Sequence, residues 1–141
     1  MKNLKRLSTF ILTFIISTQV SAYDCSLVEG SEYLSVGDSD FQYHYSFKKD
    51  GKASLVIYFE ELDMNDNEKV TSESYEGTYS FKEDKLTLNI SVRKEKHNIV
   101  FECQNKVNYM NRGVFDKGLI PIKTKPEHHS FSGVPLFRKG S

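Results

Sequence analysis

Phe41-Gln42-Tyr43-His44-Tyr45-Ser46-Phe47-Lys48-Lys49-Asp50-Gly51-Lys52-Ala53-Ser54-Leu55-Val56-Ile57-Tyr58-Phe59 decides the fold class. Apolar residues take every second position on both sides of the loop, the period of a half-buried strand and not that of a helix. The loop length follows from the faces. If both apolar rows share one side, Phe47 opposes Ala53, Tyr45 opposes Leu55, Tyr43 opposes Ile57 and Phe41 opposes Phe59. That register leaves a three-residue loop ending in Gly51, the position that takes positive φ in such a hairpin. A two-residue turn at Asp50-Gly51 would set every aromatic opposite a residue of the other face.

The same alternation continues downstream. Tyr75, Gly77, Tyr79 and Phe81 lead through Lys82-Glu83-Asp84-Lys85 into Leu86, Leu88, Ile90 and Val92, and pairing Phe81 with Leu86 keeps one apolar face. The polar run Arg93 to Asn98 then reads as a turn, so that Val92 opposes Ile99, Ile90 opposes Phe101 and Leu88 opposes Cys103. Tyr33-Leu34-Ser35-Val36 reads as a short first strand. Val107 to Ile122 is mixed, interrupted by Gly113, Gly118 and Pro121. Ser130 to Phe137 reads as a closing strand that Pro135 confines to an edge or a bulge. The expected fold is all-β: a small antiparallel meander of about five to eight strands closing into a β-barrel or sandwich. Glu76-Gly77-Thr78-Tyr79 followed by Leu86-Thr87-Leu88 resembles small bacterial lipocalin-like barrels and periplasmic lysozyme inhibitors. The resemblance is one of architecture, because the lipocalin Gly-x-Trp signature needs a Trp and the chain has none.

The first residues carry a different signal. Lys2, Lys5 and Arg6 precede an apolar stretch from Leu7 to Thr18, and Val20-Ser21-Ala22 supplies small residues for cleavage. A membrane span needs roughly 20 apolar residues, and this stretch is shorter and broken by Ser8, Thr9, Thr13 and Ser17. Residues 1–22 therefore read as a secretory signal peptide of bacterial type, and 23–141 as a single exported domain. Asp24 stands before Cys25 where lipoprotein processing requires a small residue, so no stable membrane anchor is expected after processing. The destination is periplasmic or extracellular.

Two cysteines in such a chain most simply form one disulfide, Cys25 to Cys103, in an oxidising compartment. Cys103 shares a strand face with Ile99 and Phe101, which suits a structural bridge better than a reactive thiol. The whole chain has 19 basic and 19 acidic residues, and loss of the leader leaves 16 against 19. No basic run interleaved with aromatics suggests a nucleic-acid footprint, and the mild acidic excess does not by itself imply a basic partner.

Candidate chemistry is sparse. Asp63, Asn65 and Asn67 match the first ligand positions of a calcium loop, but Glu68 and Ser74 stand where that loop needs Gly and a bidentate Glu. A solvated hairpin tip rich in turn formers is the better reading. His44 points away from the aromatic row, His97 falls in the polar turn, and the adjacent His128 and His129 diverge in an extended chain. None of these meets the converging geometry of a zinc site. Gly-x-Ser-x-Gly is absent, and Cys–His catalysis would require breaking the disulfide. Glu60-Glu61 and Glu83-Asp84 are neighbouring charges at strand ends. Asn89-Ile90-Ser91 fits a glycosylation sequon but lies within a strand. No catalytic, cofactor or metal residues are assigned. The expectation is a non-enzymatic binding or interaction protein, of inhibitor or immunity type. The alternative is a carrier of a small apolar ligand inside the barrel.

Overall fold

The structure, a computed structural model, describes residues 22–35, 41–108, 113–127 and 131–140. The leader up to Ser21 lies outside them, as do Val36, His128, His129 and Ser130. Eight strands follow in chain order: β1 (Ser31–Ser35), β2 (Phe41–Phe47), β3 (Lys52–Leu62), β4 (Glu68–Lys82), β5 (Lys85–Val92), β6 (Glu95–Asn108), β7 (Val114–Lys125) and β8 (Leu136–Arg138). Each pairs antiparallel with the next, and β8 returns to β1, so the meander closes into a barrel with no sandwich split. Closure removes the free edges that an open sheet would leave.

The first hairpin has the expected register, from Phe41 opposite Phe59 to Phe47 opposite Ala53. Gly51 carries the positive φ, at 79°. The second pairing, Phe81 with Leu86 and Tyr79 with Leu88, also holds. The third does not. Val92 pairs with Glu95, Ile90 with His97, Leu88 with Ile99 and Leu86 with Phe101. The expected six-residue turn is a two-residue one, with Arg93 at φ 50° and Lys94 at φ 70°. Both central residues at positive φ make the turn whose twist matches the flanking strands. The error is a shift of four residues, an even number that leaves every side chain on its expected face.

Of the mixed region, Val107 and Asn108 end β6 and 114–122 lie in β7, while 109–112 are outside the described residues. Pro121 is tolerated inside β7 because the register slips between Val100 and Phe101, forming a bulge at that point. β8 is much shorter than expected and begins only after Pro135. Inside the barrel, Tyr33, Tyr45, Phe47, Leu55, Leu88 and Phe101 are all within 1 % of full burial. Tyr45 stacks beside Phe47, and Phe47 meets Tyr79 edge-on at 5.1 Å and Tyr33 at 5.8 Å.

One end of the barrel is closed covalently. A 3₁₀ turn, Cys25–Val28, is capped by the Asp24 carboxylate accepting from the Ser26 N–H at 2.8 Å. The Cys25 N–H donates to the Glu83 carbonyl at 2.7 Å and the Cys103 N–H to the Asp84 carbonyl at 2.8 Å. The Cys25 and Cys103 sulfurs are 2.06 Å apart, a disulfide with both residues fully buried.

Candidate functional site: the open mouth of the barrel

The opposite end is where β3 and β4 outrun their neighbours. β4 pairs with β5 only as far as Gly77 opposite Ile90, whereas β3 and β4 stay paired out to Leu62 and Glu68. β3 keeps β2 on its other side as far as Phe59 opposite Phe41, so the arm above the mouth, 60–76, is two-stranded only from Glu60 opposite Val70 outward. At its tip the Asp63 carboxylate accepts from the Asn65 N–H at 2.8 Å and the Asn67 N–H at 2.9 Å. These bonds hold its carboxyl below the usual range, the Asn67 backbone bond contributing most. The suggestive calcium-like triad thus closes a turn on itself.

A cavity of about 210 Å³ lies at the foot of this arm. Tyr43, Ile57, Val92 and His97 form its walls, Phe131 covers part of it, and Phe41 stands at the rim. Strand alternation turns Tyr43 and Ile57 inward, and the short turn after Val92 brings His97 level with Ile90. Phe131 lies outside any strand and is anchored by the Tyr45 hydroxyl, which donates to the Phe131 carbonyl at 3.0 Å. Burial pushes the Tyr45 hydroxyl well above its ordinary pKa, so it remains a donor. The Phe131 ring meets His97 edge-on at 4.6 Å and Tyr43 at 6.5 Å.

Polar groups ring the opening. Arg93 Nε donates to Glu73 Oε2 at 3.0 Å, and the Tyr75 hydroxyl donates to the same oxygen at 2.5 Å. These bonds, Tyr75 first and then Arg93, lower the Glu73 pKa, and the bond to Glu73 raises that of Tyr75. Glu95 Oε2 lies 3.7 Å from His97 Nε2. No known family, curated protein or solved structure matches this chain. The site is therefore argued from its own chemistry.

His97 is 3 % exposed, within a strand and facing the core, and not on a surface turn as expected. Its parity with Ile99 and Phe101 was the signal that could have placed it. His44 does face outward, its ring against Tyr58 at 4.7 Å. Asn89 is exposed on β5 and accepts from the Asn98 amide at 2.7 Å, inside a shallow groove of about 520 Å³ on the barrel's outer wall. Among the described residues no nucleophile, base and orienting group come together, and no three metal-ligating side chains converge. What the mouth offers is a small aromatic cup with a polar rim.

Proposed function

We propose that this protein is an exported binding protein that acts through its surface, for instance by blocking an enzyme or a toxin. The filled barrel carries this reading. Its centre is occupied by buried Tyr, Phe and Leu side chains, and the mouth cavity of about 210 Å³ falls short of the roughly 300–1,000 Å³ of small-molecule sites. That weighs against a carrier holding an apolar ligand in the interior. Apolar groups are exposed instead on and just below the arm, where Leu62 and Val70 share its outer face, Tyr58 continues that face in the barrel wall, and Met64 stands fully exposed at the tip.

Export is supported by the leader and by a buried disulfide, which persists in oxidising compartments. The outward rows, such as Glu76, Thr78, Asn89 and Ser91, are polar, the reverse of the apolar band that a membrane barrel turns to lipid. Among the described residues no helix is long and apolar enough to cross a membrane. Cleavage after Ala22 would start the chain at Tyr23, whose N–H donates to the Cys103 carbonyl at 3.0 Å, a bond an N-terminal ammonium can also make.

A photo-crosslinker in place of Met64 should capture one discrete partner in the compartment to which the protein is exported, and Leu62→Asp with Val70→Asp should abolish capture. Native mass spectrometry of the exported protein should show a bare chain starting at Tyr23. A stoichiometric apolar adduct, with no partner captured, would put the carrier reading in its place.

A further inference from the structure

We propose that the mouth cavity and the arm above it form one docking surface for a basic protein segment that inserts a single aromatic side chain. This rests on the reading of the protein as a surface binder and names the chemistry of its partner.

Volume sets the size of the inserted group. An engineered apolar cavity of about 150 Å³ binds benzene, so about 210 Å³ accommodates one ring and little more. The walls set its kind. Phe41, Tyr43, His97 and Phe131 present rings, and Ile57 and Val92 fill between them. The existing pairs stand at 61° and 74°, and a further ring can adopt the same edge-to-face relation. Access argues for a ring on a stalk. Phe41 is 43 % exposed at the rim, so the far end of anything bound there remains in solvent. Arg93 and Glu95 stand at the opening, so charged groups border the ring-binding cup.

The arm sets the charge. Between residues 60 and 76 it carries Glu60, Glu61, Asp63, Asp66, Glu68, Glu73 and Glu76 against Lys69 alone. Over the whole chain acidic and basic residues balance at 19 each, so this arm concentrates negative charge in one projecting element. A cleft or arm of one sign steers and selects partners of the other. Among the described residues, β4 from Glu68 to Glu76 pairs with β3 alone and reaches the cavity rim where Glu73 meets Arg93, so an extended segment added along it would send alternate side chains toward the mouth.

The probe is a capped pentapeptide with a central phenylalanine and flanking lysines, titrated into the intact protein and followed by NMR. Saturable shifts at Tyr43 and His97 are expected, with Kd on the order of 1 mM at low salt. Replacing the lysines by glutamates should weaken binding about tenfold at low salt, and the difference should collapse near 1 M salt, where the Debye length is about 3 Å. An alanine-centred peptide should not perturb the cavity. Phe41→Ala, at a half-exposed site, should weaken the ring peptide severalfold; Val92→Phe, which fills the cup, should abolish it, with thermal melting to verify folding. Glu61→Lys with Glu68→Lys should weaken the lysine peptide alone and leave toluene binding unchanged.

Equal shifts from the alanine and phenylalanine peptides, or none from either, would overturn the proposal. If the Met64 crosslinker still captured a partner, surface binding would stand and only the ring-and-charge chemistry would fall. Saturable toluene binding with no peptide binding and no partner captured at Met64 would overturn both.

Discussion

Phe47→Ala measures whether the barrel is packed or hollow. Phe47 is 1 % exposed and touches the rings of Tyr33, Tyr45 and Tyr79. An aromatic side chain buries about 150–250 Å², and at about 25 cal/mol per Å² its transfer accounts for about 4–6 kcal/mol. Alanine retains part of that, and truncations of this kind cost about 3–5 kcal/mol, so a loss of about 4 kcal/mol is expected. With a urea slope near 2 kcal/mol/M, the unfolding midpoint should fall by about 2 M at unchanged slope. Phe41→Ala supplies the internal control. It lies in the same sequence row, but it is 43 % exposed and has Phe59 as its ring neighbour at 6.1 Å. It should cost less than half as much. If Phe47→Ala lost under about 1 kcal/mol, or if the two variants were equal, the interior would not be the close-packed core described here.

Replacing Cys25 and Cys103 together by Ala should lower stability by about 2–5 kcal/mol, because the bridge closes a long loop in the unfolded chain; thiol labelling of the unreduced native protein should find nothing to react. Gly77→Ala should destabilise by about 1–3 kcal/mol, since an added Cβ would collide with the Asn89 carbonyl and come within 2.9 Å of the Ile90 Cβ; an unchanged melting temperature would contradict that approach. Burial, and then the charge of Lys139, lower the His44 pKa from its ordinary 6.5, against a smaller opposing pull from Glu32. The unfolded chain therefore binds the proton more readily, so stability should decline as pH falls below about 6.5. His44→Gln should remove that part of the decline, and identical pH profiles for the two proteins would show that His44 is not its source.

Alternation and loop length made much of the barrel legible in the chain alone. The row Phe41 to Phe47 and its partner Ala53 to Phe59 admit one in-phase pairing with a glycine at the strained position, and that pairing is found. Cys103 likewise announced its burial through Ile99 and Phe101. The β5–β6 register was not legible. A period of two fixes which face a residue occupies and says nothing about offsets of two or four, so the chain alone puts His97 in a turn. Only the competition between turns, decided by Arg93 and Lys94 both taking positive φ, pulled it into the core. Pro121 reads as an interruption in the chain alone; the extra residue that accommodates it, Ile122, becomes a bulge only when β7 is set against Val100 and Phe101 of β6. Phe131 had no local pattern at all. It is held by the Tyr45 hydroxyl across 86 residues of sequence, a contact that exists only once the barrel has closed. The acidic run from Glu60 to Glu76 was visible as letters from the start. It became a surface only because β4 loses β5 beyond Gly77 and β3 loses β2 beyond Phe59, and where neighbouring strands end is settled by the packing of the whole sheet.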